Sequence, residues 1–301
     1  MKKLKGVITA MTTCFDENDQ VDVSGMQELT EFLIESGVNC LYPCGTTGEM
    51  HLLSVEERKL IAETVVNAAA GRVTVYIQVG AMTTKDTIEL AKHAFEIGAD
   101  GIGVVTPSYF HVNDEAMIDY FLEVASSVPD HFPVYLYGIP QCAGNDISAY
   151  VAESCAKRSK NIIGIKYSYQ DMHKICEYLK VNNGDFSVVV GLDRLFLSSL
   201  AIGCDGTVSG VSCPMPEPFV NVYRAFLRGD FETAKRWHNI AHDVVVDLKA
   251  GSDMSIFKHA LDVRGLKGGF MRKPLKTIDE NEKEHYTEVV QKHLGVFNQI
   301  K

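Results

Sequence analysis

Residues 161–171 read NIIGIKYSYQD. Ile162, Ile163 and Ile165 surround a single glycine, with no polar residue alternating between them. A short run of this kind suits a strand buried on both faces, as in a parallel sheet covered by helices. Lys166 follows directly, and then Tyr167 and Ser168. A lysine at the inner end of an apolar strand costs several kcal/mol if it stays charged and unpaired. Its presence asks for a chemical reason.

Seven further runs have the same character: GVITAMT (6–12), CLYPCG (40–45), VTVYIQVG (73–80), GIGVVTP (101–107), PVYLYGIP (133–140), FSVVVG (186–191) and DGTVSG (205–210). Amphipathic segments separate them. VSGMQELTEFLIESG (23–37) closes on a glycine. SVEERKLIAETVVNAAAG (54–71) opens with Ser54 and, three residues on, Glu57, a capping box. TKDTIELAKHAFEIG (84–98) is a third. Eight strand–helix units predict an α/β protein, a (β/α)8 TIM barrel. The eight units occupy residues 1–215, and residues 216–301 are expected to form additional C-terminal helices packed on the barrel. An open doubly wound sheet would carry a Gly-rich phosphate turn after its first strand, and GVITAMTTCFDE has none.

Composition narrows the function. The 301 residues carry a formal charge of −10, which disfavours nucleic acid as a partner. No apolar run reaches the roughly 20 residues of a membrane helix, so no membrane partner is expected. The N-terminal MKKLKGVITAMTTCFD reads as a first strand, without the apolar core or cleavage site of a signal peptide. The eight cysteines include no CxxC pair and read as reduced, packed thiols of a cytoplasmic protein. His238 and His242 lie four apart, but Asn239 stands where a zinc protease has glutamate, and the other histidines are scattered. GIGVVT (101–106) lacks the last glycine of a dinucleotide fingerprint. Neither a metal nor a cofactor is expected.

In a (β/α)8 barrel, function collects at the C-terminal ends of the strands. Those ends hold Gly45–Glu49, Thr106–Phe110, Tyr137–Pro140, Lys166–Ser168, Gly191–Arg194 and Ser209–Val211. Among apolar walls a lysine loses its charge and becomes a nucleophile that condenses with ketones. Alternatively, it snorkels out to a carboxylate. Its neighbours favour the first. Tyr137 ends the adjacent strand and offers a phenol as proton relay. Gly45-Thr46-Thr47-Gly48-Glu49 is a hydroxyl-rich glycine turn without lysine or arginine, suited to a single carboxylate.

GTTGE (45–49), TPSYF (106–110), YGIP (137–140), GIK (164–166) and RKP (272–274), in that order, resemble the dihydrodipicolinate synthase/N-acetylneuraminate lyase family over nearly the whole chain. The resemblance implies a barrel with extra C-terminal helices, class I aldolase chemistry on pyruvate or a close 2-oxo acid, and a homotetramer built as a dimer of dimers. It implies Lys166 as the Schiff-base lysine, Tyr137 as the proton-shuttling phenol, and Thr46 and Thr47, with Gly45, as the keto-acid carboxylate site. It further implies that Tyr109 crosses the dimer interface toward the partner's site, with Thr46 linking it to Tyr137. A plain packing aromatic is the competing reading of Tyr109.

The chain departs from the family pattern at three places. Gly138 replaces the asparagine of YNxP. Cys142 stands where the lysine-pathway synthases carry an arginine for the second substrate's carboxylate, and a thiol makes no bidentate carboxylate contact. Gly191-Leu192-Asp193-Arg194 matches the sugar-contacting Gly-x-Asp-Glu of the sialic acid lyases except that Arg194 reverses a charge. Ser168 supplies the hydroxyl the lyases tend to have, and Ser209 ends the eighth strand nearby. Asp193 reads equally as a helix N-cap. The expectation is a pyruvate-releasing aldolase cleaving a 2-keto-3-deoxy sugar acid or a sialic-acid-like substrate to pyruvate and an aldehyde. The alternatives are a dihydrodipicolinate synthase and, in another class, a non-catalytic keto-acid-binding barrel.

Overall fold

The computed structural model describes residues 1–250 and 253–300. Eight strands, β1 (Gly6–Ala10), β2 (Cys40–Tyr42), β3 (Thr74–Gln78), β4 (Gly101–Val105), β5 (Val134–Gly138), β6 (Ile162–Tyr167), β7 (Ser187–Val190) and β8 (Gly206–Ser209), pair in chain order and close into a barrel. Every pairing is parallel, and β8 returns to β1 with Thr9 opposite Ser209. This is the expected TIM barrel. Each strand is short because both of its faces are covered and its ends turn at once into loops.

The first helices lie where the periodicity puts them: α1 (Val23–Glu35), α2 (Val55–Ala69) and α3 (Thr84–Glu96). Ser54 and Glu57 form the expected capping box at the start of α2. The later helices are α4 (Asp114–Ser126), α5 (Pro140–Ala143), α6 (Ala149–Arg158), α7 (Met172–Tyr178) and α8 (Phe196–Ala201). After β8 come α9 (Pro216–Leu227), α10 (Phe231–Asp247), α11 (Met254–Val263) and α12 (Glu280–Gln299). One hydrophobic cluster runs from Val7 and Ile165 on the outer faces of strands to Trp237, Phe257 and Phe297 on the last helices.

The pairing of β6 with β5 contains one irregularity. Val134 lies opposite Ile162, but Tyr135 lies opposite Gly164, so Ile163 is passed over. Beyond that slip the alternation is regular. Ile165 and Tyr167 face the helices, and Lys166 faces the barrel interior among its aromatic rings. The interior layer holds Tyr42, Tyr76, Tyr135, Ile8, Val189 and Val208. Large rings fit because glycines face them. A Cβ on Gly103 would stand 1.8 Å from the Tyr42 hydroxyl. The N-terminal segment closes the lower mouth: Leu4 N donates to the Tyr135 hydroxyl at 3.0 Å, and the Tyr76 hydroxyl donates to the Lys2 carbonyl.

Six of the eight thiols are buried, and Cys142 and Cys176 are exposed; all eight are free. Among the described residues no helix is long and apolar enough to cross a membrane.

Candidate active site

Lys166 is 3% exposed. Tyr137 and Lys166 are direct register partners on β5 and β6. The Lys166 Nζ stands 3.7 Å from the centroid of the Tyr137 ring and 4.5 Å from that of Tyr42. Among the described residues no carboxylate forms an ion pair with it. Burial alone lowers its pKa to about 7, so near neutral pH a large share of the amine is uncharged. The snorkelling alternative is absent from the structure.

The Tyr137 hydroxyl is linked to Thr46 Oγ1 at 3.2 Å. Burial pushes this phenol up to about 12, against the pull of the Thr46 and Ser168 hydroxyls, so it is protonated and can donate. Thr46 belongs to the turn that follows β2. Two non-glycine residues in left-handed conformation bound this turn, Cys44 at φ 60° and Glu49 at φ 62°. Such backbone persists only where the surroundings hold it. Gly48 N and Met50 N both donate to Gly45 O, Glu49 N donates to Thr46 O, and Thr13 Oγ1 donates to Gly48 O. Among the described residues the backbone N–H groups of Thr46 and Thr47 donate to no protein acceptor. The turn therefore offers two N–H groups and two hydroxyls, a nest for one carboxylate.

The β6–β8 side carries the other expected residues. Ser168 is buried; its N–H donates to Gly138 O at 2.9 Å and its carbonyl accepts from Gln141 Nε2 at 2.8 Å. Gly191 is required by this serine, because a Cβ there would fall 1.8 Å from Ser168 Oγ. Asp193 is the first residue of a 3-10 turn, Asp193–Leu195, whose N-cap is Leu192, and it makes no capping hydrogen bond. The N-cap reading of Asp193 is thus corrected: the helical turn begins one residue too early for it. Its Oδ1 is buried and has no hydrogen-bond partner among the described residues. Burial raises the Asp193 pKa to about 6, opposed by the Ser209 hydroxyl and the Arg194 charge. Ser209 is fully buried and accepts from Ser212 N at 2.9 Å. Arg194 is exposed. At Gly138 a Cβ would stand 2.9 Å from the Tyr167 ring, which accounts for the missing side chain.

Tyr109 is not gathered into this site. It is 81% exposed, in left-handed conformation at φ 73°, with its ring edge-on to the exposed Phe110. Cys142 lines a cavity of about 240 Å³ beside the carboxylate turn, with Thr46, Met50, Ile139 and Leu275 among its walls. His51, also in that wall, is held below the usual histidine range by burial and by Arg58.

Sequence reasoning missed several supporting residues. Tyr42 floors the site with a buried hydroxyl that has no hydrogen-bond partner among the described residues. Arg58 is buried and donates to Gly80 O and to both Gln78 O and Gln78 Oε1, locking the end of β3. Lys258 of α11 meets Glu49 at 2.6 Å, both almost wholly buried. Glu49 Oε2 accepts from Arg272 N at 2.9 Å, and the Arg272 guanidinium reaches Asp19, Glu57 and Leu52 O. The GTTGE and RKP motifs are therefore in contact, across 223 residues of chain. A charged residue in each motif was the available signal; nothing local pairs them.

Comparison with known proteins agrees with this arrangement. The chain is 30% identical to an N-acetylneuraminate lyase of Mediterraneibacter gnavus, over 97% of this chain and 93% of the relative. It is 34% identical to a probable 2-dehydro-3-deoxy-D-pentonate aldolase of Escherichia coli, over 78% of each. The crystal structure of an E. coli prophage protein of the dihydrodipicolinic acid synthase family, in complex with pyruvate, superposes with a TM-score of 0.91 at 30% identity, covering 97% of this chain and 99% of that one. The model of the dihydrodipicolinate synthetase family matches residues 3–293. The chain belongs to the dihydrodipicolinate synthetase family and is a lyase of its aldolase type.

Proposed function

We propose that this lyase works through a Schiff base on Lys166 and cleaves a 2-keto-3-deoxy sugar acid, or a sialic-acid-like sugar, to pyruvate and an aldehyde. The observation that carries the reading is a buried amine with no carboxylate partner, set against a protonated phenol. The free amine adds to the C2 carbonyl. Tyr137 donates the proton that lets C2 oxygen leave as water, and an iminium remains. The Tyr137 phenolate left by that step takes the C4 hydroxyl proton, and the C3–C4 bond breaks. Its electron pair moves through C3 to the iminium nitrogen, giving an enamine and releasing the aldehyde. Protonation at C3 and addition of water return the amine and pyruvate.

Thr46 and Thr47 hold the keto-acid carboxylate with their N–H and hydroxyl groups, and the Thr46 Oγ1 contact keeps the Tyr137 hydroxyl in place. Ser168, Gly191, Asp193 and Ser209 form the wall that meets the hydroxylated tail, with the unpartnered Asp193 oxygen as its main acceptor. A dihydrodipicolinate synthase would need a cation for a second carboxylate, and Cys142 supplies none. Tyr109, with Phe110, forms an exposed aromatic edge that suits a contact between copies in a dimer of dimers.

The test is borohydride reduction in the presence of pyruvate, followed by peptide mapping. A single modification at Lys166 is expected. An unmodified chain after reduction with pyruvate and a series of other 2-oxo acids refutes the mechanism.

A further inference from the structure

Two lysines are buried in this molecule near the carboxylate turn, and they differ in one respect. Among the described residues Lys166 has no ion-pair partner, whereas Lys258 meets Glu49 at 2.6 Å with side-chain exposures of 2% and 1%. Lys258 also donates to the Phe270 carbonyl and lies over the Phe15 ring. A buried ion pair is a weak source of stability, because desolvating both charges offsets most of their attraction. What such a pair does well is fix geometry, since any displacement exposes an unpaired charge to low dielectric.

The geometry fixed here is that of Glu49. Glu49 is the left-handed last residue of the turn whose free N–H groups belong to Thr46 and Thr47. One of its carboxylate oxygens faces Lys258, and the other accepts from Arg272 N. Phe257, the neighbour of Lys258 on α11, comes near Gly210, which Thr47 of the same turn also approaches. A Cβ on Gly210 would stand 2.9 Å from Thr47 Oγ1 and 3.3 Å from the Phe257 ring. α11 thus meets the turn directly at one point, by charge at Glu49.

We propose that Lys258, acting through Glu49, is a positioning residue for the 2-oxo acid carboxylate. The inference rests on the Schiff-base reading given above. Lys258 touches no reacting atom. It keeps the Thr46 and Thr47 N–H groups aimed at the place where the carboxylate sits while C2 faces Lys166. The pair thereby contributes to the affinity for the keto acid that Thr46 and Thr47 hold.

The experiment compares the full chain with Lys258→Met, Glu49→Gln and the double variant Glu49→Gln/Lys258→Met. It measures thermal midpoint, kcat, KM, and the pyruvate concentration that gives half-maximal borohydride labelling of Lys166. Each single variant leaves one buried charge uncompensated and is expected to lower the midpoint. The double variant removes both charges and recovers the midpoint. It is nevertheless expected to keep a half-maximal pyruvate concentration raised roughly tenfold, with kcat at saturation changed less than about threefold, as a misplaced binding turn requires. A double variant with wild-type pyruvate dependence overturns the proposal, and so does one whose kcat falls while its pyruvate dependence stays unchanged. Failure of the wild type to be labelled overturns the Schiff-base reading and this inference with it, an outcome distinct from normal labelling in all variants.

Discussion

Tyr137 and Lys166 lie side by side on neighbouring rungs of the barrel, and the Lys166 Nζ rests 3.7 Å from the centre of the Tyr137 ring. The ring excludes water from the amine, and its hydroxyl points instead to Thr46. In the proposed mechanism one residue therefore serves two purposes: its face desolvates the nucleophile and its edge presents a proton.

The first prediction concerns pH. Burial lowers Lys166 to about 7. Below that value the native amine is protonated and cannot attack. The rate of pyruvate labelling should climb about tenfold per pH unit up to about 7 and then level off. A profile that keeps climbing to the range of an ordinary lysine contradicts the assignment. Stability follows the same group. The unfolded lysine holds its proton up to its ordinary pKa, so between about 7 and that value the unfolded chain binds more protons and native stability rises with pH. Below about 7 the charge must be buried in full. Lys166→Met should therefore raise the thermal midpoint more at pH 6 than at pH 9.

Tyr137→Phe keeps the ring over the amine and removes the proton. Turnover should fall by roughly 10²- to 10⁴-fold, the usual contribution of a positioned acid–base group. Borohydride with pyruvate should still label Lys166, more slowly. Measured together, kcat and label separate the two purposes of this side chain.

Gly191→Ala would place a methyl group 1.8 Å from Ser168 Oγ. The serine must move, and a loss of about 1–3 kcal/mol is expected for overpacking at a buried site. Denaturant titration measures that loss. KM for a polyhydroxylated keto acid should rise while pyruvate labelling at Lys166 persists.

Cys142 is exposed and lines the cavity beside Thr46. Partial burial raises its thiol pKa, so iodoacetamide should inactivate slowly at neutral pH and faster as pH rises. Cys142→Ser should resist inactivation. Cys176→Ser, which removes the other exposed thiol, should remain sensitive. Equal sensitivity of both variants would separate this cavity from the route to the amine.

The strands were legible because each is apolar along its whole length, and Lys166 was legible because it breaks that pattern. Tyr137 and the 45–49 turn stood out as polar groups at strand ends, and the structure places them beside Lys166 and each other. Of the two readings of Asp193, the cap does not hold because the 3-10 turn starts at that residue, one position past its N-cap Leu192. The slip at Ile163 left no trace in composition, since any isoleucine fits a covered strand. Lys258, Arg58 and Tyr42 were invisible for another reason. Lys258 meets Glu49, Arg58 meets Gln78 and Gly80, and the Tyr42 ring lies under Lys166, all contacts outside their own elements, and local periodicity carries no record of such pairings.

The irregular step at Ile163 sets the phase of everything after it on β6. Without it, the side chains beyond would swap sides, and the amine would be turned outward among the helices while Ile165 or Tyr167 filled the mouth. Deleting or inserting one residue in this strand should therefore be far more damaging than the same change in the loop that follows. Under the proposed mechanism, the position of the amine depends on a count of residues along a single strand.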